Sequence, residues 1–234
     1  GRGITNYLIG MGYAVVSVDR AIECRCASRA LESATALQWE EHFAALWQLL
    51  PTSFGCSDEY SALITSTRAR PKAAVTDPSD PLSGLQEHLE AALIAPVAAA
   101  KSIRVHLRNE PRPSILFLSS TNARSLSHQV LGYHAANAAL SQAARYLGVH
   151  WINEVSVFCI QMGALHTVSI APTRAEELGH FPGVSQQDLH ETIRFLLEAF
   201  PQGLVGEPIV LSSGREGLDA TAVHQGRFGD LSRY

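Results

Sequence analysis

The regular alternation of short apolar runs with longer amphipathic segments is the feature that most constrains the fold of this chain. The apolar runs, rich in Val, Ile, Leu and Phe, indicate buried strands at Tyr13–Asp19, Tyr60–Ser66, Ser114–Ser119, Val155–Gln161 and Pro208–Leu211. Helical spacing of apolar residues indicates helices at Arg2–Gly12, Trp39–Leu50, Leu85–Arg108, Tyr133–Leu147 and Gln187–Phe200. Because no two strands are joined by a hairpin signal, the pattern predicts a doubly wound α/β fold, with a parallel sheet between two layers of helices.

The length and composition are those of one globular domain. With 234 residues, of which 46% are hydrophobic and 17% charged, the chain can bury one large core but is short for two domains. We therefore expect a single domain over residues 1–234. Residues 162–184 are rich in loop signals, and residues 214–234 are predicted to form a C-terminal arm.

Charge and cysteine usage argue against several classes of function. The net charge of -4, with Lys and Arg scattered along the chain, offers no basic stripe for nucleic acid. The apolar runs are too short to span a bilayer and no signal-type segment is evident, so we expect a cytoplasmic protein with no membrane partner. The four cysteines and ten histidines show no metal-ligand spacing, so no metal site is predicted.

The candidate site lies where strands end, because parallel α/β sheets bind ligands at the carboxyl ends of their strands. Ser119 and Ser120 follow the strand that begins at Ser114, and Tyr133 stands thirteen positions after Ser120, at the start of a helix. A strand-end hydroxyl and a phenol at a helix start can converge on one substrate carbonyl, with the phenol as proton donor or acceptor.

These residues resemble a family signature. The segment I-L-F-L-S-S followed by G-Y-H-A-A-N-A-A-L is similar to the S-S and Y-x-x-x-K-A-A-L motifs of short-chain dehydrogenases/reductases (SDRs). The stretch from Gly1 to Arg20 resembles the end of the family's T-G-x-x-x-G-I-G loop and its second strand. The first strand and the start of that loop are missing from the printed chain. Two later segments, 162–167 and 205–209, resemble the family's P-G-x-x-x-T and T-G-x-x-I.

The resemblance implies roles for individual residues. Ser120 would polarise the substrate oxygen, and Tyr133 would be the catalytic acid or base. Asp19 would bind the adenosine ribose and favour NAD over NADP, and Thr167 would contact the nicotinamide carboxamide. The positions implied for cofactor binding are Gly1, Asp19, Thr65, Gly163 and Thr167.

Three departures from the family pattern bear on activity. The family's lysine, four residues after the tyrosine, is Asn137, and the asparagine of its proton relay falls on Ala92. The family's N-N-A-G is T-S-T-R here, from Thr65 to Arg68. In the family the lysine favours the phenolate and grips the nicotinamide ribose. A tyrosine without such a cation is only about 0.1% ionised at pH 7, so we expect oxidation of alcohols, which needs the phenolate, to be impaired.

Three functions remain open from the sequence. The departures favour a non-catalytic or weakly active subunit that pairs with another SDR chain. An active NAD-dependent oxidoreductase, acting on a carbonyl or secondary alcohol through Ser120 and Tyr133, is the alternative. A minor alternative is non-redox chemistry of the halohydrin dehalogenase type, although Asn137 lacks the charge of the arginine which that family uses.

An oligomer is predicted from two alanine-rich helices. Small side chains let helices approach closely, and the helices Leu85–Arg108 and Tyr133–Leu147 correspond to the family's usual dimer seam. We expect a homo-oligomer or hetero-oligomer with another SDR subunit through these helices.

Overall fold

The structure is a computed structural model of the chain. It describes residues 2–12, 40–41, 43–45, 62–66, 80, 82–107, 113–124, 131–163, 165, 184–199 and 201–212. The predicted strand Tyr13–Asp19 and the predicted arm 214–234 lie outside the described residues, as does much of the predicted helix Trp39–Leu50. Within that helix, residues 40–41 and 43–45 are helical.

Four parallel strands form the described sheet. They are β1 (Ala62–Thr65), β2 (Ser114–Ser120), β3 (Ser156–Met162) and β4 (Pro208–Leu211), and they pair in chain order. The register places Phe117 of β2 between Thr65 and Cys159, while Met162 pairs with Leu211. The predicted parallel sheet is confirmed.

Helices cover both faces of this sheet. They are α1 (Arg2–Gly10), α2 (Leu85–Leu89), α3 (Ala95–Ile103), α4 (Leu131–His150) and α5 (Gln186–Glu198). Successive side chains of β2 point to opposite faces, as a strand requires. Ile115 and Phe117 pack with α3 and α4, whereas Leu116 and Leu118 pack with α1 and α5. The predicted three-layer α/β fold is confirmed.

Two helix ends follow their sequence signals. Gly12 has a φ of 89°, a left-handed conformation that glycine adopts without strain, and it follows the end of α1 as predicted. Helix α5 begins after Ser185, whose hydroxyl accepts the Asp188 backbone N–H while the Asp188 carboxylate accepts the Ser185 N–H. This reciprocal cap fixes the start of the helix.

The helix predicted over Leu85–Arg108 is confirmed from Leu85 to Ile103, but it contains an unpredicted π-helical turn, Glu90–Ile94, between α2 and α3. The Ala95 N–H donates to the Glu90 carbonyl, five residues back. Pro96 has no N–H to donate to the preceding turn, so it favours a local break in the helix there. A 3-10 turn, Arg104–His106, ends the segment.

Helix α4 is held against β4 by two glycines. A Cβ built on Gly148 would lie 2.7 Å from the Cα of Gly206. Gly206 itself has a φ of 77°, and its N–H donates to the Val157 carbonyl at 2.8 Å. The close approach of the two backbones therefore requires glycine at both positions.

We expect Gly148→Ala to lower the free energy of unfolding by about 1–3 kcal/mol, because the added methyl must displace backbone rather than a flexible side chain. The control is Gly10→Ala at the end of α1, where an added Cβ meets nothing within 4 Å. Urea denaturation measures both variants. Equal stability of Gly148→Ala and the wild type would contradict the close approach.

Candidate functional site

The candidate site lies at the carboxyl end of β2, where Ser120 ends the strand. The Ser120 hydroxyl accepts the Asn122 N–H at 3.2 Å and so caps the 3-10 turn Thr121–Ala123. This bond uses a lone pair of the hydroxyl and leaves its proton able to donate to a ligand oxygen. The residue is 9% exposed.

Tyr133 lies in the first turn of α4 and is half-buried. Its ring meets two imidazoles edge to face, with centroids 5.9 Å from His88 and 6.4 Å from His134. The Nδ1 atom of His134 lies 2.8 Å from the Asn122 carbonyl oxygen, so this imidazole links the start of α4 to the turn after Ser120.

Asn137, at the position of the family's lysine, lies inside the protein. Its side-chain amide donates to the Tyr133 backbone carbonyl at 2.8 Å, and its Oδ1 accepts from the Ser119 hydroxyl at 3.3 Å. Only 5% of the residue is exposed. The amide thus binds the backbone of the tyrosine and a neighbouring strand, and it brings no cation to the site.

Asn137 belongs to a buried polar cluster, which we define as Ser119, Asn137, Ser141, Cys159 and Gln161. The Ser141 hydroxyl is its centre: it donates to the Asn137 carbonyl at 3.0 Å, lies 3.2 Å from the Ser119 hydroxyl and accepts from the Gln161 amide at 3.0 Å. The Cys159 thiol lies 3.7 Å away, and burial raises its pKa to about 11. The cluster therefore joins α4 to both β2 and β3.

The residues matched to cofactor positions are only partly described. Gly163 follows β3, and its N–H donates to the Leu211 carbonyl at 2.9 Å. Thr65 ends β1, but its hydroxyl is enclosed and has no hydrogen-bond partner among the described residues. Gly1, Asp19 and Thr167 lie outside the described residues. Of the predicted catalytic residues, Ser120 ends β2, whereas Tyr133 and Asn137 lie on α4.

Ala92, at the position of the relay asparagine, lies in the π-helical turn and is buried. This turn contacts α4, the helix of Tyr133. The methyl of Ala92 can neither donate nor accept a hydrogen bond, so its side chain cannot replace the amide of the family's relay. π-helical turns are frequent at functional sites, and here one coincides with a position singled out by the sequence.

Sequence reasoning missed His88, Ser141 and Gln161. The last two lie on α4 and β3, so their contact depends on how that helix sits on the sheet. His88 contacts Tyr133 across two helices. The sequence shows only one sign of that contact, the small residue Gly132 beside the tyrosine.

The fold is that of the short-chain dehydrogenases/reductases, as three solved structures show. Aldohexose dehydrogenase of Thermoplasma acidophilum matches with a TM-score of 0.71 and 15% identity, over 90% of this chain and 87% of that one. A Burkholderia xenovorans protein described as a short-chain dehydrogenase/reductase gives 0.70 and 18%, over 93% and 90%. ElxO with NADP bound gives 0.68 and 13%, over 92% and 93%.

The other comparisons give no match: no family model matches the sequence, and no curated protein matches it significantly. In the described part of the chain, no helix is long and apolar enough to cross a membrane. The same residues contain no group of three or more His, Cys, Asp or Glu arranged to hold a metal ion.

We expect Ser141→Ala to lower the free energy of unfolding by about 1–3 kcal/mol, because the Gln161 amide loses a buried acceptor and the Asn137 carbonyl loses a buried donor. The matched control is Thr192→Val on α5. Its hydroxyl also donates to the carbonyl four residues back, at 2.7 Å, but in an exposed setting. Denaturant titration compares the two, and an equal loss in both would show that the buried cluster adds nothing.

Proposed function

We propose that this chain is a non-catalytic or weakly active subunit of an SDR-type, NAD-linked oxidoreductase assembly. The observation that carries the proposal is the direction of the Asn137 amide, which binds the Tyr133 carbonyl and the Ser119 hydroxyl. At the position where the family has a positively charged lysine, this chain therefore has the neutral Asn137, whose amide stabilises the fold. Without that cation the phenol has lost the partner that favours its ionised form.

Weak binding of the dinucleotide is part of the same proposal. The Asn137 amide faces inward, so it does not fit the contact that the family's lysine makes with the nicotinamide ribose. Gly163 at the end of β3 is compatible with close approach of a ligand, since it has no side chain. NAD remains the proposed dinucleotide because of Asp19, while ElxO has been solved with NADP.

The proposed partner is another SDR subunit, bound through α4 and the segment Leu85–Arg108. Four large apolar side chains on these elements are exposed: Val105, Leu131, Tyr146 and Val149 are 51%, 48%, 60% and 69% accessible. The ring of Tyr146 stacks on His150, with centroids 3.8 Å apart, which makes a flat surface at the end of α4. Apolar surface of this kind favours association with a second chain.

The alternative is an active NAD-dependent oxidoreductase acting on a carbonyl or a secondary alcohol. One observation favours it: the Ser120 hydroxyl keeps a proton to donate, and Tyr133 is half-exposed at the start of α4. Reduction of a carbonyl, in which a neutral phenol gives up its proton, would suffer less from the missing cation than oxidation.

We expect the wild type to turn over secondary alcohols with NAD, or carbonyls with NADH, far below the typical enzyme rate of about 10 per second. Asn137→Lys alone will not restore strong turnover, because an ammonium placed in this buried cluster loses its hydration. Asn137→Met, of similar length and uncharged, is the control. Cofactor-linked absorbance measures the rates.

Robust turnover by the wild type would reject the proposal in favour of the active enzyme, whereas robust turnover after Asn137→Lys alone would show that the rest of the site is intact. Thermal unfolding with NAD and NADH tests binding separately, since a ligand at 100 times its dissociation constant adds about 2.7 kcal/mol to stability. Co-purification with a second SDR chain supports the partner role. A pure homodimer with turnover excludes it.

A further inference from the structure

The start of α4 lies unusually close to α2, and Gly132 is the reason. A Cβ built on Gly132 would lie 2.9 Å from the Leu85 Cα and 3.0 Å from the Cδ2 atom of His88. Any side chain at this position would therefore displace α2 or its imidazole. The absence of one lets His88 reach the residue that follows, Tyr133.

His88 is buried and contacts the candidate phenol directly. It is 5% exposed, and its ring lies 5.9 Å from that of Tyr133 at an interplanar angle of 77°. In this arrangement the electropositive edge of one ring meets the electron-rich face of the other, so the contact has a preferred direction. A buried ring in such a contact restricts the rotation of its neighbour.

Tyr133 is thus held at two points. The Asn137 amide holds its backbone carbonyl at 2.8 Å, and His88 holds its ring. A site residue acts on a ligand only when its rotamer is fixed by its surroundings.

We propose that His88 is a positioning residue of the candidate site, whose ring sets the direction in which the Tyr133 phenol meets a carbonyl or dinucleotide ligand. This deepens the proposed function, since it concerns the same site. It does not depend on turnover, because the orientation of the phenol exists in the protein without ligand.

The test compares His88→Ala with His88→Phe. The phenylalanine keeps an aromatic ring in the contact and removes both nitrogens. The control is His190→Ala on α5, which removes an imidazole that stacks on Tyr7 of α1, with centroids 4.3 Å apart, on the other face of the sheet. The readout is the aromatic NMR signal of Tyr133 in tyrosine-labelled protein, assigned with Tyr133→Phe, together with the dissociation constant for NADH and the melting temperature.

We expect His88→Ala to shift the Tyr133 signals toward those of a freely rotating tyrosine and to weaken NADH binding on the order of tenfold, as for residues coupled by direct contact. His88→Phe restores both, and His190→Ala changes neither. Wild-type Tyr133 signals in His88→Ala, or a failure of His88→Phe to restore them, would overturn the proposal. Fast turnover by the wild type would instead overturn the proposed function and leave the signal comparison intact.

Discussion

The hydrogen bonds of Asn137 are the constraint on which the rest of the site depends. A buried amide is costly unless it is hydrogen-bonded, and here its NH₂ group donates to the Tyr133 carbonyl and its Oδ1 accepts from the Ser119 hydroxyl. The same bonds join α4 to β2 and hold the tyrosine's backbone. Because its side chain makes these hydrogen bonds inside the protein, Asn137 stabilises the fold and does not point toward a ligand. The proposed weakness of the site and the stability of the fold therefore have one physical cause.

The residues that determine the fold of this protein are different from the residues of the candidate site. Alternating apolar side chains on β2 and β3 and the contact of Gly148 with Gly206 are sufficient for the sheet and its helices. Solved structures with 13–18% identity share the fold. Shared architecture shows how the elements pack and leaves the reaction to be decided by the site.

Much of the fold followed from the sequence, since buried strands and amphipathic helices impose periods of two and 3.6 residues. Gly12 and β4 lie where predicted, and the structure places Ser120 and Tyr133 in the predicted strand and helix. The π-helical turn before Pro96 was not predicted, because the alanines around Pro96 favour a regular helix although the proline has no N–H to donate. The partners of Ser141 could not be predicted, because they depend on how α4 lies across β3. Binding of the adenosine ribose by Asp19 stays a prediction, because Asp19 lies outside the described residues.

Hydrogen exchange of the Asn137 side-chain amide, followed by NMR in ¹⁵N-labelled protein, tests the central claim most directly. The hydrogen bond to the Tyr133 carbonyl predicts exchange many times slower than that of Asn6, which is exposed on α1. Exchange of both amides at the same rate would show that Asn137 is open to solvent and available to a ligand. That result would contradict the claim that the Asn137 amide is engaged in hydrogen bonds inside the protein.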